Sequence, residues 1–184
     1  MRTISLLLLC AMTASASVLL INGDFEEPLD AGWEEALNGY YASIGVATYL
    51  DPDPDYEAWA TDSYGGYAKI YQTVNIPCTD LTFSVDAKFY AYDNNEDTLC
   101  WAGAAVVLSY MDETNTVLGQ TYMGMHTEPC PWDDVTNNHV ILAPDTNWNT
   151  YAFNINSELG NIPISPGDIT KIEVAVYSVT DHTC

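Results

Sequence analysis

Between Thr82 and Tyr92 apolar residues fall on every second position: Phe83, Val85, Ala87 and Phe89 alternate with Ser84, Asp86, Lys88, Tyr90 and Tyr92. A period of two matches the pleat of a β-strand with one buried and one open face, and no α-helix can hold it. The same period runs through Tyr67 to Ile76, with Ala68, Ile70, Gln72, Val74 and Ile76 on one side and Tyr67, Lys69, Tyr71, Thr73 and Asn75 on the other. Further strands are expected at 102–111, 116–123, 138–143, 149–155 and 169–178. Turn sequences such as Ile76-Pro77-Cys78-Thr79-Asp80, Ala143-Pro144-Asp145 and Ser165-Pro166-Gly167-Asp168 separate them. No stretch carries a convincing helical period. Many short strands punctuated in this way predict an all-β chain, an antiparallel β-sandwich or jelly roll. The length of 184 residues, with no break in composition, fits a single domain.

The first 16 residues read differently. Arg2 precedes an apolar run over Ile4–Met12, and Ala14-Ser15-Ala16 follows as a small-x-small cleavage sequence, the pattern of a secretory signal peptide. The run is too short to span a bilayer, and no later stretch approaches the roughly 20 apolar residues that a span needs. The reading is therefore a leader at 1–16, a β-sandwich domain at 17–184, and a secreted protein. Beyond the leader stand Cys78, Cys100, Cys130 and Cys184. An even count in an exported chain favours disulfides. Of the three pairings, Cys100 with Cys130 and Cys78 with Cys184 is preferred, because the first bridge would join two loops that each carry a tryptophan. A zinc site is not expected: there is no Cys-x-x-Cys, and His126, His139 and His182 are scattered.

Charge narrows the partners. With 26 Asp and Glu against 4 Lys and Arg, the formal net charge is −22, and the cations beyond the leader are Lys69, Lys88 and Lys171 alone. Nucleic acid, whose affinity rests on contacts to phosphate, and anionic lipid are excluded as partners. Neutral sugars, Ca²⁺ and protein surfaces remain. A pyranose offers apolar C–H patches that stack on aromatic rings and hydroxyls that need fixed hydrogen-bond partners, so its platform mixes aromatic and polar side chains on a rigid sheet. The open strand faces carry such a mixture in Lys69, Tyr71, Lys88, Tyr90, Tyr92 and Tyr177, with Glu173 beside Tyr177. Tyrosine and lysine also suit any solvated strand face. Trp101 and Trp132 flank Cys100 and Cys130; they either contact ligand at a loop tip or pack over a disulfide.

The opening Leu20-Ile21-Asn22-Gly23-Asp24-Phe25-Glu26, followed by Gly32-Trp33, resembles the start of secreted carbohydrate-binding modules of the family 4/9/22 type, which have a galactose-binding-like jelly roll. Gly66 to Val74 with Gln72, the Leu81–Lys88 strand, Val106 to Asp112 and the Trp148–Ile155 strand follow in the same order. The resemblance covers nearly all of 17–184. It implies packing roles for Trp33 and Trp148, and a structural Ca²⁺ held by Glu26, with Asp24 as second candidate, plus backbone oxygens. Such modules usually close with one more strand, whose Asp helps hold the ion. Here the sequence reads Thr180-Asp181-His182-Thr183-Cys184, so Asp181 takes that place, the sequence is a fragment, or a sheet edge stands vacant. The acidic runs Asp51–Glu57 and Asp93–Asp97 read as solvated loops: Tyr56 stands where a Ca²⁺ loop needs glycine.

Catalysis is not expected. Carboxylate pairs can be chosen at will from 26 acids, and no Gly-x-Ser-x-Gly, His-Glu-x-x-His or phosphate-binding Gly-rich loop occurs. Two functions follow. One is a secreted, Ca²⁺-stabilised, non-catalytic module that docks on a polysaccharide. The other is an extracellular structural subunit of a surface layer or filament, self-assembling through a free sheet edge near the C-terminus.

Overall fold

The computed structural model describes residues 5–8, 19–48, 55–92, 100–133 and 135–181, with side chains from residue 19 onward. Most of the acidic run at 51–57, the run at 93–97 and Cys184 lie outside the described residues. The strands are β1 (Ser5–Leu8), β2 (Glu34–Asn38), β3 (Ser43–Ala47), β4 (Glu57–Thr61), β5 (Gly66–Asn75), β6 (Leu81–Ala87), β7 (Trp101–Met111), β8 (Val117–His126), β9 (Asn138–Leu142), β10 (Asn149–Asn154) and β11 (Lys171–Asp181). A single helical turn, α1 (Ile155–Glu158), follows β10. The chain is a β-sandwich, as expected.

One layer is a six-stranded sheet in the order β2-β5-β11-β7-β8-β9, the other a three-stranded sheet in the order β1-β6-β10, and β3 with β4 form a hairpin. The alternating apolar residues meet between the layers. Phe83 and Val85 of β6 and Tyr151 of β10 face Ile70 of β5, Val106 and Leu108 of β7, Met123 of β8, and Ile172 and Val174 of β11 in one buried cluster. Removing this surface from water is what drives the two sheets together.

Three expectations change. Among the described residues all pairings are antiparallel except one: β9 runs parallel to β8, with Gln120 opposite Asn138 and Gly124 opposite Leu142. The strand nearest the C-terminus is not an edge. β11 lies between β5 and β7 and pairs with both along nearly its whole length. Cys130 is a buried thiol, so the expected Cys100–Cys130 bridge is not made. In addition, Ser5–Leu8, within the segment that reads as a leader, pair antiparallel with β6.

The N-terminal turn is fastened to the core by one side chain. Gln72 is buried on β5; its Oε1 accepts from Ile21 N at 2.8 Å, and its Nε2 donates to Ile21 O at 3.0 Å and Gly32 O at 2.7 Å. Trp33, buried as expected, donates from Nε1 to Asn22 O at 2.8 Å. At the other end of the large sheet, the buried Glu158 of α1 accepts from Thr121 of β8 and His139 of β9, so that the parallel edge strand is tied to its neighbour through a third element.

Gln72→Leu keeps the volume but leaves three backbone groups without their partner. At about 1 kcal/mol or more for each unsatisfied group, a loss of about 3 kcal/mol is expected. Chemical denaturation of the variant against the wild type measures it.

Candidate functional site

The outer face of the six-stranded sheet carries a cleft of about 410 Å³, lined by Ala36, Tyr67, Lys69, Tyr71, Val107, Ser109, Gln120, Tyr122, Trp132, Glu173, Ala175 and Tyr177. Strand alternation places these residues. Glu173, Ala175 and Tyr177 are the β11 positions between Ile172, Val174 and Val176. Gln120 and Tyr122 are the β8 positions on either side of Thr121, which points into the core.

A chain of hydrogen bonds, joined at one point by a cation–π contact between Lys69 and Tyr71, crosses the floor from β2 to β8. Tyr71 OH donates to Glu34 Oε2 at 2.9 Å, and the Lys69 ammonium sits 4.5 Å from the centre of the Tyr71 ring. Lys69 Nζ donates to Glu173 Oε1 at 2.7 Å, Ser109 Oγ reaches the same oxygen at 3.4 Å, Gln120 Nε2 donates to Ser109 at 3.0 Å, and Tyr122 OH donates to Gln120 Oε1 at 2.9 Å. Glu173 is 8% exposed, and a carboxylate at that depth needs such partners to remain charged.

Beside this polar ladder lie the aromatic rings. Trp132 stacks on Tyr122 with centroids 4.6 Å apart and planes 21° apart, and Tyr177 stands 6.4 Å from Trp132 and 6.2 Å from Tyr67. The parallel register of β9 puts Trp132 there. To start beside Gln120, the chain leaving β8 at His126 must run back along the sheet, roughly 20 Å at 3.4 Å per residue. That return segment, 127–137, carries Trp132 across the sheet. Its path is held by Thr127, which exchanges hydrogen bonds with Ala102 at 2.9 Å, and by Asn138 Nδ2, which donates to Trp132 O at 3.1 Å. Gly103 of β7 leaves the room: a Cβ there would stand 2.5 Å from the Trp132 ring.

The expected site residues fall into two groups. Lys69, Tyr71, Tyr177 and Trp132 come together in the cleft. Trp101 packs edge-on against Trp132 at 5.7 Å and supports it from the side. Lys88, Tyr90 and Tyr92 do not join them. Strand β6 ends at Ala87, and the three residues continue from it in the other layer, exposed, with Tyr90 and Tyr92 stacked on each other at 6.4 Å. Lys88 and Tyr90 instead border a second, more apolar cavity of about 440 Å³ that also involves Trp59 and Trp148. The alternation of 82–92 identified the residues opposite the core correctly, but two sheets have two outer faces. Ser109, Gln120 and Tyr122 were missed because β7 is apolar on both faces and β8, interrupted by Gly119 and Gly124, shows no regular alternation, which hides the period.

Asp24 and Glu26 stand on the turn before Trp33, half-buried and exposed respectively. The backbone oxygens of Glu27 and Pro28 in that loop are already taken by the Asn22 side-chain amide, at 2.8 and 3.2 Å. Ca²⁺ takes six to eight oxygens, and among the described residues no third His, Cys, Asp or Glu joins these two carboxylates.

No family model matches the chain, and no curated protein matches it. The likeness to the family 4/9/22 modules therefore reduces to the coarser statement of a β-sandwich. Among solved structures, the chain is similar to the family 11 carbohydrate-binding module of the cellulosomal cellulase Lic26A-Cel5E of Clostridium thermocellum. Identity is 16%, the TM-score is 0.42, and the match covers 92% of this chain and 94% of that one. A likeness of that degree carries no argument about what the cleft binds.

The phenols of the cleft stay protonated well above neutrality. Burial pushes Tyr122 and Tyr177 up to about 12, and the hydrogen bond to Glu34 raises Tyr71. Groups whose folded pKa lies above the unfolded value near 10 contribute stability that is complete below pH 10 and is lost as pH rises towards 12. The melting temperature is accordingly expected to fall between pH 10 and 12. Tyr122→Phe with Tyr177→Phe should make that fall shallower, as read by thermal melts across the range.

Proposed function

We propose that this protein is a secreted, non-catalytic carbohydrate-binding module that holds a neutral polysaccharide in the cleft between Tyr71 and Trp132. The observation that carries the reading is the pairing of a continuous polar ladder with a bank of aromatic rings on one rigid sheet face. Sugar rings stack on the half-buried Tyr67, Tyr71 and Tyr177, and their hydroxyls exchange hydrogen bonds with Lys69 and Gln120, while the buried Trp132, Ser109 and Glu173 hold those groups in place from beneath. From β2 to β8 the ladder crosses five strands, roughly 19 Å at the usual interstrand spacing, a length that suits several linked sugars better than one. A net charge of −22 favours neutral over acidic glycans.

The non-catalytic part of the reading rests on how the cleft carboxylates are used. Glu34 accepts from Tyr71, and Glu173 from Lys69 and Ser109. Both are committed as acceptors within the ladder, an arrangement suited to recognition rather than to proton transfer.

The test is affinity electrophoresis of the folded protein against a panel of neutral and acidic polysaccharides. Retardation by at least one neutral glycan is expected. Tyr71→Ala and Gln120→Ala should each weaken it about tenfold, the equivalent of about 1.4 kcal/mol, whereas Tyr90→Ala with Tyr92→Ala should leave it unchanged. Binding lost in the Tyr90/Tyr92 variant and kept in the cleft variants would move the site to the other layer. Absence of binding across the panel would end the proposal.

A further inference from the structure

His126 ends β8, and its side chain is only 4% exposed. Its Nδ1 lies 3.4 Å from the carbonyl oxygen of Thr127. A carbonyl can only accept, so the proton of the neutral ring belongs on Nδ1, and the lone pair is left on Nε2. That Nε2 is buried with no hydrogen-bond partner among the described residues. What faces it is a carboxylate: Asp133 Oδ2, 3.4 Å away. A lone pair opposite an anionic oxygen is repulsive, and either a proton on Nε2 or a metal cation between the two atoms relieves it. The third group is Glu128, and donor atoms of His126, Glu128 and Asp133 all lie within 4.8 Å of one another.

We propose that His126, Glu128 and Asp133 form a binding site for a divalent transition-metal ion of the Zn²⁺ class. The donor set is one imidazole nitrogen and two carboxylate oxygens. Imidazole suits zinc and its neighbours, whereas calcium and magnesium prefer oxygen alone. A ring whose far nitrogen is anchored on a backbone carbonyl is the usual arrangement of a metal-bound histidine, since the anchor fixes tautomer and orientation. Two carboxylates balance the charge of the ion, and three protein donors leave room for water as a fourth. Glu128 and Asp133 are exposed, so the ion enters from solvent, while His126 holds it from within.

The location gives the site a consequence. His126 immediately precedes the return segment, Glu128 lies at its start and Asp133 directly follows Trp132 within it, and the His126 ring stands edge-on to Trp132 at 5.7 Å. A bound ion would tie that segment to the end of β8 and fix the largest ring of the cleft.

The experiment uses the protein stripped with a chelator and dialysed. Calorimetric titration with Zn²⁺ is expected to show one equivalent bound and a raised melting temperature, with Ca²⁺ unable to compete. Co²⁺ is expected to bind the same site and quench tryptophan emission. Because His126 is buried and its replacement risks the fold, Glu128→Gln and Asp133→Asn carry the test. Each should weaken Zn²⁺ at least tenfold and reduce Co²⁺ quenching without changing the metal-free melting temperature. Absence of saturable Zn²⁺ binding, equal binding of Ca²⁺, or undiminished affinity in both variants would overturn the assignment, the last by placing the ion elsewhere on the acidic surface.

Discussion

Strand β11 has to satisfy two environments at once, and the rest of the molecule is arranged around that requirement. It lies between β5 and β7 with its backbone bonded on both sides. One face gives Ile172 and Val174 to the core, and the other gives Glu173, Ala175 and Tyr177 to the cleft. A one-residue slip would exchange the faces, placing a carboxylate in the core and a valine on the cleft floor. The core therefore fixes the register, and the register fixes the cleft. Beyond Val176 the core-facing positions turn polar: Ser178 accepts from Asp62 N at 3.1 Å and Thr180 from Gly65 N at 2.8 Å, so the far end of the strand secures the turn between β4 and β5.

The cleft depends on a second constraint, the direction of β9. An antiparallel strand in that place would have followed β8 by a tight turn, and the sheet face would have stayed bare. Parallel pairing requires a return path, and the path lies over the sheet as a wall. The apolar cluster beneath it, Ala105, Val107, Tyr122, Cys130, Trp132 and Ala175, is a small second core on the outer side of the sheet. It holds Trp132 in position before any ligand arrives, which reduces the ordering cost of binding.

The sequence made some of this legible and hid the rest for physical reasons. β5, β6 and β10 were readable because each has one more buried and one more open face, so that Ala68, Ile70 and Gln72, or Phe83 and Val85, stand out at a period of two; β11 was readable from the polar residues Glu173 and Tyr177 set between Ile172, Val174 and Val176. β2 was not: Glu34, Glu35, Leu37 and Asn38 are all exposed on an edge, and nothing alternates. β7 was placed to within a residue and β8 was expected to stop at 123, three residues short of His126; their cleft residues were not singled out, since burial on both faces removes the contrast. Alternation also cannot say which sheet a strand joins, so Lys88, Tyr90 and Tyr92 were grouped with Lys69 and Tyr71 although a whole layer separates their strands. His126 looked isolated because its two carboxylate neighbours reach it through the fold of the 127–133 segment, which no spacing rule describes.

The polar ladder from Glu34 to Tyr122 is connected in series, by hydrogen bonds and, between Tyr71 and Lys69, by a cation–π contact, each member being held by the one before it. Replacing a single member leaves its neighbour's polar atom facing the floor with nothing to meet, so the effect of a second replacement depends on the first. Epistasis of this kind shapes how such a surface changes over generations. Drift is open at the rim, where residues act alone. On the floor, a new ligand preference would arrive through coordinated exchanges, Ser109 together with Gln120 or Lys69 together with Glu173, and intermediates carrying one half of the pair would be the poorest binders of the series.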